Sequence, residues 1–353
     1  MKLRHLHIEN YKMFKDFDIS FVDEYDEPLP IVVLAGVNGS GKTTLLEFLK
    51  GQEEPIYESE FGYLNPYGSF DIEYLSENIK YKISVKKMGV SDKDFFPEKI
   101  EYLKSGIDDV NIVAEEFVKS FYFFLKEKDY RPSEVREHFE SHIQDIFDGL
   151  DLGFKYSHLD RDDYVWFVND NQKELKIHDL STGEKTLLSK ILYLYFKGYK
   201  DKVVLIDEPE LSLHPSWQNR VLKIYENFAK QNNCQIIIAT HSPHIIGSAK
   251  AEYIRLLKKE DDKVVAIENI DRSYGLEFDK ILTDIMGVEN LRTPAVAKDI
   301  RRLWDLLEDE NYESEEYTTL YDDLEKLLGS LDEDLLLARL EIAKIKSQNA
   351  KSE

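Results

Sequence analysis

The stretch Gly36-Val-Asn-Gly-Ser-Gly-Lys-Thr43 decides the fold, because it fits the pattern G-x-x-x-x-G-K-[ST] between two regular elements. Before it lies Ile31-Val-Val-Leu-Ala35, a continuous apolar run that is typical of a parallel strand covered on both faces. After it, Thr44-Leu-Leu-Glu-Phe-Leu49 has the composition of a helix. A strand, a glycine-rich loop and a helix in this order predict a loop whose backbone N–H groups bind phosphate. A glycine-rich turn that matches the pattern by chance is the alternative.

The residues of this loop predict a nucleoside triphosphate and a magnesium ion as ligands. We expect Lys42 to reach the β- and γ-phosphates and the hydroxyl of Thr43 to hold Mg²⁺. The positive end of the following helix adds to the attraction for phosphate. The predicted phosphate-binding residues are Asn38, Gly39, Ser40, Gly41, Lys42, Thr43 and Thr44.

A second apolar run ends in two acidic residues. Val203-Val-Leu-Ile206 predicts a buried strand, and Asp207 and Glu208 follow directly at its carboxyl end. Ligands of α/β proteins bind at that edge of the sheet. We therefore expect Asp207 to hold Mg²⁺, directly or through water, and Glu208 to orient and deprotonate the attacking water. A strand that ends in a solvated acidic turn is the alternative.

The rest of the chain is organised around these two strands. Residues 218–230 carry apolar side chains at helical spacing between the strands 203–206 and 236–239, which predicts a strand–helix–strand crossover and a parallel sheet. The alternating stretches 2–8 and 17–21 predict an antiparallel hairpin. The predicted fold class is α/β: a head with the P-loop and a parallel sheet, N-terminal antiparallel strands, a mixed insertion and a helical C-terminal tail. The predicted segments are 1–60 (head, first part), 61–174 (insertion), 175–275 (head, second part) and 276–353 (tail).

The composition excludes several classes of protein. The chain has 353 residues, with 69 acidic against 46 basic ones and a net charge of −23, which argues against a surface that binds nucleic acid or anionic lipid throughout. No apolar run is long enough to cross a bilayer, and the N-terminus does not resemble a secretory signal. The single cysteine, Cys234, excludes an internal disulfide and a cysteine-based zinc cluster. We expect a cytoplasmic protein without a membrane partner.

Three further motifs give the chain a resemblance to the ABC-type ATPase superfamily. Leu180-Ser-Thr-Gly-Glu-Lys185 resembles its signature motif, Glu210-Leu-Ser-Leu-His-Pro215 its D-loop and Ala239-Thr-His-Ser-Pro243 its switch-histidine loop. The resemblance implies hydrolysis of ATP with Mg²⁺ in a dimer or a higher homo-oligomer. It further implies that Ser181, Gly183 and Glu184 meet the γ-phosphate bound by another subunit, and that His241 senses that phosphate. The glutamine loop of the family has three candidates here, Gln52, Gln144 and Gln172.

The use of the ATPase chemistry is a separate question. The core resembles recombination, chromosome-maintenance and overcoming-lysogenisation heads, and the whole chain resembles the stand-alone ATPases of bacterial anti-phage defence, Septu-type or retron-associated. That resemblance implies a sensor or regulatory subunit with a separate nuclease effector, with nucleic acid contacted through the complex. A recombination-mediator-like ATPase that binds DNA through Lys80–Lys87, Arg301 and Arg302 is the alternative, and a transporter ATPase subunit is a third. Effector, trigger and oligomeric state beyond a dimer stay open.

Overall fold

A computed structural model of the chain describes residues 1–50, 57–59, 62–64, 69–85, 100–103, 110–146, 153–268 and 270–349. The chain divides into two compact units, Met1–Ile281 and Leu282–Glu353. The strands are β1 (Lys2–Tyr11), β2 (Phe14–Ser20), β3 (Ile31–Ala35), β4 (Tyr57–Ser59), β5 (Gly62–Leu64), β6 (Phe70–Ser76), β7 (Ile79–Val85), β8 (Ile100–Leu103), β9 (Phe154–Leu159), β10 (Val165–Asn169), β11 (Glu174–Lys176), β12 (Val203–Asp207), β13 (Gln235–Thr240), β14 (Ile254–Glu260) and β15 (Lys263–Ile267). The helices are α1 (Lys42–Lys50), α2 (Val110–Glu127), α3 (Pro132–Ile146), α4 (Thr182–Lys197), α5 (Pro215–Gln231), α6 (Pro243–Ser248), α7 (Phe278–Lys280), α8 (Pro294–Glu308), α9 (Glu315–Leu328) and α10 (Glu333–Asn349).

A six-stranded sheet forms the centre of the first unit, in the order β15-β14-β3-β13-β12-β8. Neighbouring strands from β14 to β8 run parallel, and β15 closes one edge in the antiparallel direction. Every residue of β3 and of β13 is buried, which is why β3 and residues 236–239 of β13 are continuous apolar runs. The expected parallel α/β core is confirmed, with α5 as the crossover between β12 and β13.

A four-stranded antiparallel sheet, β2-β1-β6-β7, covers part of this core. The hairpin expected from the alternating N-terminal stretches is present, with Leu6 opposite Ile19 and Ile8 opposite Phe17. The strands β6 and β7 extend this sheet, and β8 extends the central sheet beside β12. All three come from the segment 61–174, so strands of the predicted insertion complete sheets of the ATPase head. The proposed domain limits themselves remain a prediction.

A third sheet, β11-β10-β9, was not predicted from the sequence. Its first hairpin turns at Asp160, whose carboxylate accepts hydrogen bonds from the backbone N–H groups of Asp162 and Tyr164 and from the indole of Trp166, at 2.8–2.9 Å. The helices α2 and α3 pack nearby through stacked Phe117 and Phe139, with ring centroids 4.6 Å apart. Asp160 therefore organises a turn.

The second unit is helical, as the sequence predicted for the C-terminus. Its helices α8, α9 and α10 share an apolar core of Ile300, Leu303, Leu306, Leu307, Tyr317, Leu324, Leu335 and Ala338. Acidic residues outnumber basic ones two to one in this unit. In the described part of the chain, none of the helices combines the length and apolar character needed to cross a membrane.

Candidate nucleotide site

The glycine-rich loop between β3 and α1 is shaped by close packing on two sides. Gly36 and Gly41 have φ angles of +149° and +96°, in the region that side chains rarely adopt. A Cβ atom on Gly36 would lie 2.6 Å from the carbonyl oxygen of Leu257, and one on Gly41 would lie 2.8 Å from Sδ of Met13. The neighbouring backbone and the β1–β2 turn thus leave room for glycine alone. This path presents the first-turn amides of α1, which have no acceptor within the helix, as an anion cradle.

Lys42 begins α1 and its side chain folds back into the loop. Its Nζ donates hydrogen bonds to the carbonyl oxygens of Gly36 (2.8 Å) and Val37 (3.0 Å). Burial lowers the pKa of Lys42, and the nearby carboxylates of Glu208, Glu210 and Asp207 act in the opposite direction. The amine of Lys42 is therefore held inside the loop, where it would reach the phosphates of a bound nucleotide.

Thr43 and Asp207 lie together, as the magnesium prediction requires. The hydroxyl of Thr43 donates to Oδ1 of Asp207 at 3.2 Å. The other carboxylate oxygen, Oδ2, accepts a hydrogen bond from the phenol of Tyr102 on β8 at 3.2 Å. Burial is the main cause that raises the pKa of Asp207, against the lowering effect of these two hydrogen bonds. Tyr102 was not predicted, because no local pattern shows that β8 joins the sheet beside β12.

Glu208 and His241 stand at the carboxyl ends of the adjacent strands β12 and β13. Glu208 has a left-handed backbone, φ +47°, and its N–H donates to the carbonyl oxygen of Ala239 at 2.8 Å. A non-glycine residue in that conformation costs about 1 kcal/mol or more, which the surrounding structure must offset. Oε1 of Glu208 lies 3.3 Å from Nδ1 of His241. The structure thus brings the predicted base and the predicted phosphate sensor into one group with Lys42, Thr43 and Asp207.

The donor set fits the ligands that the motifs imply. The hydroxyl of Thr43 and the carboxylate of Asp207 are hard oxygen donors, which Mg²⁺ prefers. The glycine cradle and the buried ammonium of Lys42 suit the phosphates of a nucleotide. Asn38, Gly39, Ser40 and Thr44 lie in or directly after the same loop.

The signature-like residues occupy the N-terminus of α4. Ser181 is the N-cap: its hydroxyl accepts from the N–H of Glu184 (3.4 Å), and the Glu184 carboxylate accepts from the N–H of Ser181 (2.7 Å). Gly183 lies beside Trp217: a Cβ atom on Gly183 would lie 3.8 Å from Cδ1 of Trp217, an ordinary van der Waals distance. Within the described residues, no hydrogen bond or ion pair joins Ser181, Gly183 or Glu184 to Lys42 or Asp207. Their role at a phosphate stays a prediction.

The glutamine-loop candidates gain no support from their positions. Gln52 lies outside the described residues, as does the side chain of Gln144. Gln172 is exposed in the turn between β10 and β11, with φ +60°.

Three of the basic residues predicted as an alternative DNA surface are paired with acidic residues. Lys80 binds Asp26 at 3.0 Å, and Lys82 binds Glu73 at 3.1 Å. In the second unit, Arg302 binds Glu316 at 2.7 Å. Lys86 and Lys87 lie outside the described residues. These ion pairs reduce the local positive charge on which a DNA surface depends.

The fold and the site are those of a P-loop nucleotide-binding protein, and comparison with known proteins agrees with this class. Residues 1–93 match the family described as "AAA ATPase domain", and residues 118–247 match the family described as "AAA domain, putative AbiEii toxin, Type IV TA system". The SMC head domain from Thermotoga maritima has the same fold, with a TM-score of 0.50 and 17% identity over 76% of this chain and 100% of that one. The chain is thus similar in two separate segments to families described as AAA ATPase domains.

Two curated relatives are more specific. The "Septu protein PtuA" of Bacillus thuringiensis is 28% identical over 186 residues, 48% of this chain and 46% of the relative. The "Retron Ec83 probable ATPase" of Escherichia coli is 31% identical over 215 residues, 57% of this chain and 38% of the relative. The similarity therefore spans less than half the length of either relative.

Proposed function

We propose that this chain binds and hydrolyses Mg-ATP, and that it dimerises when ATP is bound. The observation that carries the proposal is the juxtaposition of Lys42, Thr43, Asp207, Glu208 and His241 at one edge of the sheet. Asp207 and Thr43 would hold the magnesium ion, which supplies charge neutralisation at the phosphates. Glu208 would accept the proton of the attacking water, and His241 would contact the γ-phosphate.

The dimer follows from the position of the signature-like residues. The N-terminus of α4 carries Ser181 and the positive end of the helix dipole, which together favour an anion. Because no hydrogen bond joins Ser181 to Lys42 among the described residues, we infer that the γ-phosphate held at Lys42 is met by Ser181 of a second copy. ATP would then lie between two subunits and contact both of them.

Glu208→Gln tests the hydrolytic assignment. The amide keeps the shape of the side chain but cannot accept the proton, so we expect kcat to fall by about 100-fold or more while ATP affinity stays near that of the wild type. ATP-bound dimer should accumulate in light scattering. Lys42→Ala is the contrasting variant and should lose nucleotide binding itself. Hydrolysis at the wild-type rate by Glu208→Gln would show that the base is a different group.

We further propose that the chain is the sensor or regulatory subunit of an anti-phage defence complex with a separate nuclease effector. The similarity to a Septu protein and to a retron ATPase supports this role. The acidic helical unit, with Leu331 and Leu340 84% and 66% exposed, supports a protein partner of basic character.

The native locus offers the test of this role. Affinity purification of the tagged chain from its host should recover a nuclease, and deletion of the gene should lower resistance to phage. Recovery of the chain alone, together with unchanged resistance, would exclude the defence role and leave the ATPase assignment intact.

A further inference from the structure

Glu210 is a buried carboxylate beside the nucleotide site that none of the predicted roles uses. It lies three residues after Asp207 and is 6% exposed. Its Oε1 accepts hydrogen bonds from the hydroxyl of Thr240 (2.6 Å) and from the backbone N–H of His241 (3.1 Å). A residue that follows β12 thus holds the end of β13, where the switch loop begins.

The same carboxylate faces the imidazole of His241. Oε1 of Glu210 lies 3.6 Å from Nδ1 of His241, and Oε1 of Glu208 lies 3.3 Å from it. Because both carboxylate oxygens face Nδ1, Nε2 is the ring nitrogen that can meet a phosphate. Oε2 of Glu210 is buried without a hydrogen-bond partner among the described residues. A buried carboxylate that is satisfied on one oxygen alone is costly and calls for a role other than stability.

Lys190 connects Glu210 to the signature-like end of α4. It lies nine residues after Ser181 and is 8% exposed. Its Nζ donates to the carbonyl oxygens of Pro209 and Leu211, both at 2.9 Å, so that it grips the backbone on each side of Glu210. Because α4 is a continuous helix, a displacement of its N-terminus moves Lys190 and the segment that it holds.

We propose that Glu210 is a positioning residue for His241, and that Lys190 couples the position of α4 to it. Contact of Ser181 with a phosphate would thereby be transmitted through Lys190 and Glu210 to the histidine of the same subunit. The inference rests on the proposed function for its benefit to catalysis. The physical connection between α4 and the switch loop is a property of the protein without nucleotide.

Hydrogen–deuterium exchange of the nucleotide-free protein tests the connection without any activity. In Glu210→Ala, peptides that cover residues 239–246 should exchange at least about tenfold faster, because their anchor is lost. Lys190→Met keeps the length of the side chain and removes the donors, and it should loosen the same peptides. Glu210→Gln should restore much of the protection, since its amide oxygen can accept the same two hydrogen bonds. Glu226→Ala, which removes a largely buried glutamate on α5, should leave these peptides unchanged.

Kinetics then test the benefit to catalysis. Glu210→Ala should lower kcat by about 10–100-fold, because a small displacement of a positioned group has effects of that size, while ATP affinity changes less than about threefold. If Glu210→Ala and Lys190→Met exchange and turn over like Glu226→Ala, the proposal is wrong. If Glu210→Ala does not fold, Lys190→Met decides. Absence of ATP hydrolysis in the wild type would refute the proposed function. The hydrogen–deuterium exchange of the variants would still decide whether α4 is connected to the switch loop.

Discussion

At the scale of single residues, Gln235 shows how a buried polar group holds the site in place. Its side chain is fully buried; Oε1 accepts from the N–H of Leu3 (2.7 Å), and Nε2 donates to the carbonyl oxygens of Leu3 and Leu29 (3.1 Å each). The amide therefore joins β13 to the N-terminal strand β1 and to the segment before β3. Its position at the start of β13 stabilises the strand that ends directly before His241.

Gln235→Leu should destabilise the protein by about 3 kcal/mol, because the backbone groups of Leu3 and Leu29 lose their partners inside the core. Urea unfolding followed by fluorescence measures this change. Gln231→Leu, at an exposed position on α5, is the control and should shift stability by less than about 0.5 kcal/mol. Equal effects of the two substitutions would mean that the buried hydrogen bonds contribute nothing net.

The site residues were predictable to the extent that their chemistry is local. Lys42, Thr43 and Asp207 follow from a loop and a strand end, and the structure brings them together. The left-handed backbone of Glu208 and the contact of Tyr102 with Asp207 were not predictable. They arise from the pairing of strands that are far apart in the sequence, which no local pattern encodes.

At the scale of elements, the N-terminus of α4 combines two roles that a substitution can separate. Ser181 caps the helix, and we propose that it meets a phosphate. Aspartate caps a helix about as well as serine and interacts favourably with the helix dipole. Ser181→Asp should therefore leave unfolding within about 0.5 kcal/mol of the wild type, whereas its charge should repel the γ-phosphate and abolish ATP-dependent dimerisation. Thermal unfolding and analytical ultracentrifugation with ATP measure the two outcomes.

Ser314 offers a matched control for this substitution. It caps α9 through a hydrogen bond from the N–H of Tyr317 at 3.1 Å and belongs to the other unit. Ser314→Asp should leave both stability and dimerisation unchanged. Dimerisation that survives in Ser181→Asp would mean that Ser181 is a helix cap without contact to phosphate.

Elements with a strong hydrophobic period were predicted, and elements defined by distant pairing were not. The runs that became β3, β12 and β13 are apolar because both faces of the sheet are covered. The sheet formed by β9, β10 and β11 was not predicted, because its strands are short and its turn resembles an acidic loop. The role of β8 as the edge strand beside β12 depends on a pairing across about 100 residues, which is decided by tertiary packing.

At the scale of the whole molecule, the net charge of −23 is distributed over both units. Residues 282–353 hold 18 acidic and 9 basic residues, so that this fifth of the chain carries −9 of the net charge. It is the unit with its own apolar core and with exposed leucines. In the first unit, Lys80 and Lys82 are already paired with acidic residues. A basic protein is a better electrostatic match for this molecule than DNA, and its contact would be sensitive to salt.

The two compact units predict that ATP binding and effector docking belong to different units, and a truncation can test this. All of the predicted nucleotide ligands, from Asn38 to His241, lie within Met1–Ile281, and that unit contains the whole central sheet. A chain that ends at Ile281 should therefore bind ATP with a Kd within about threefold of the full chain, a difference below 1 kcal/mol. Isothermal titration with ATP and magnesium measures this Kd.

The same truncation tests where the effector binds. If the effector docks on the acidic unit, the truncated chain should fail to recover the nuclease from the host while it still dimerises on ATP. Loss of ATP binding upon truncation would instead show that the acidic unit is needed for the site itself.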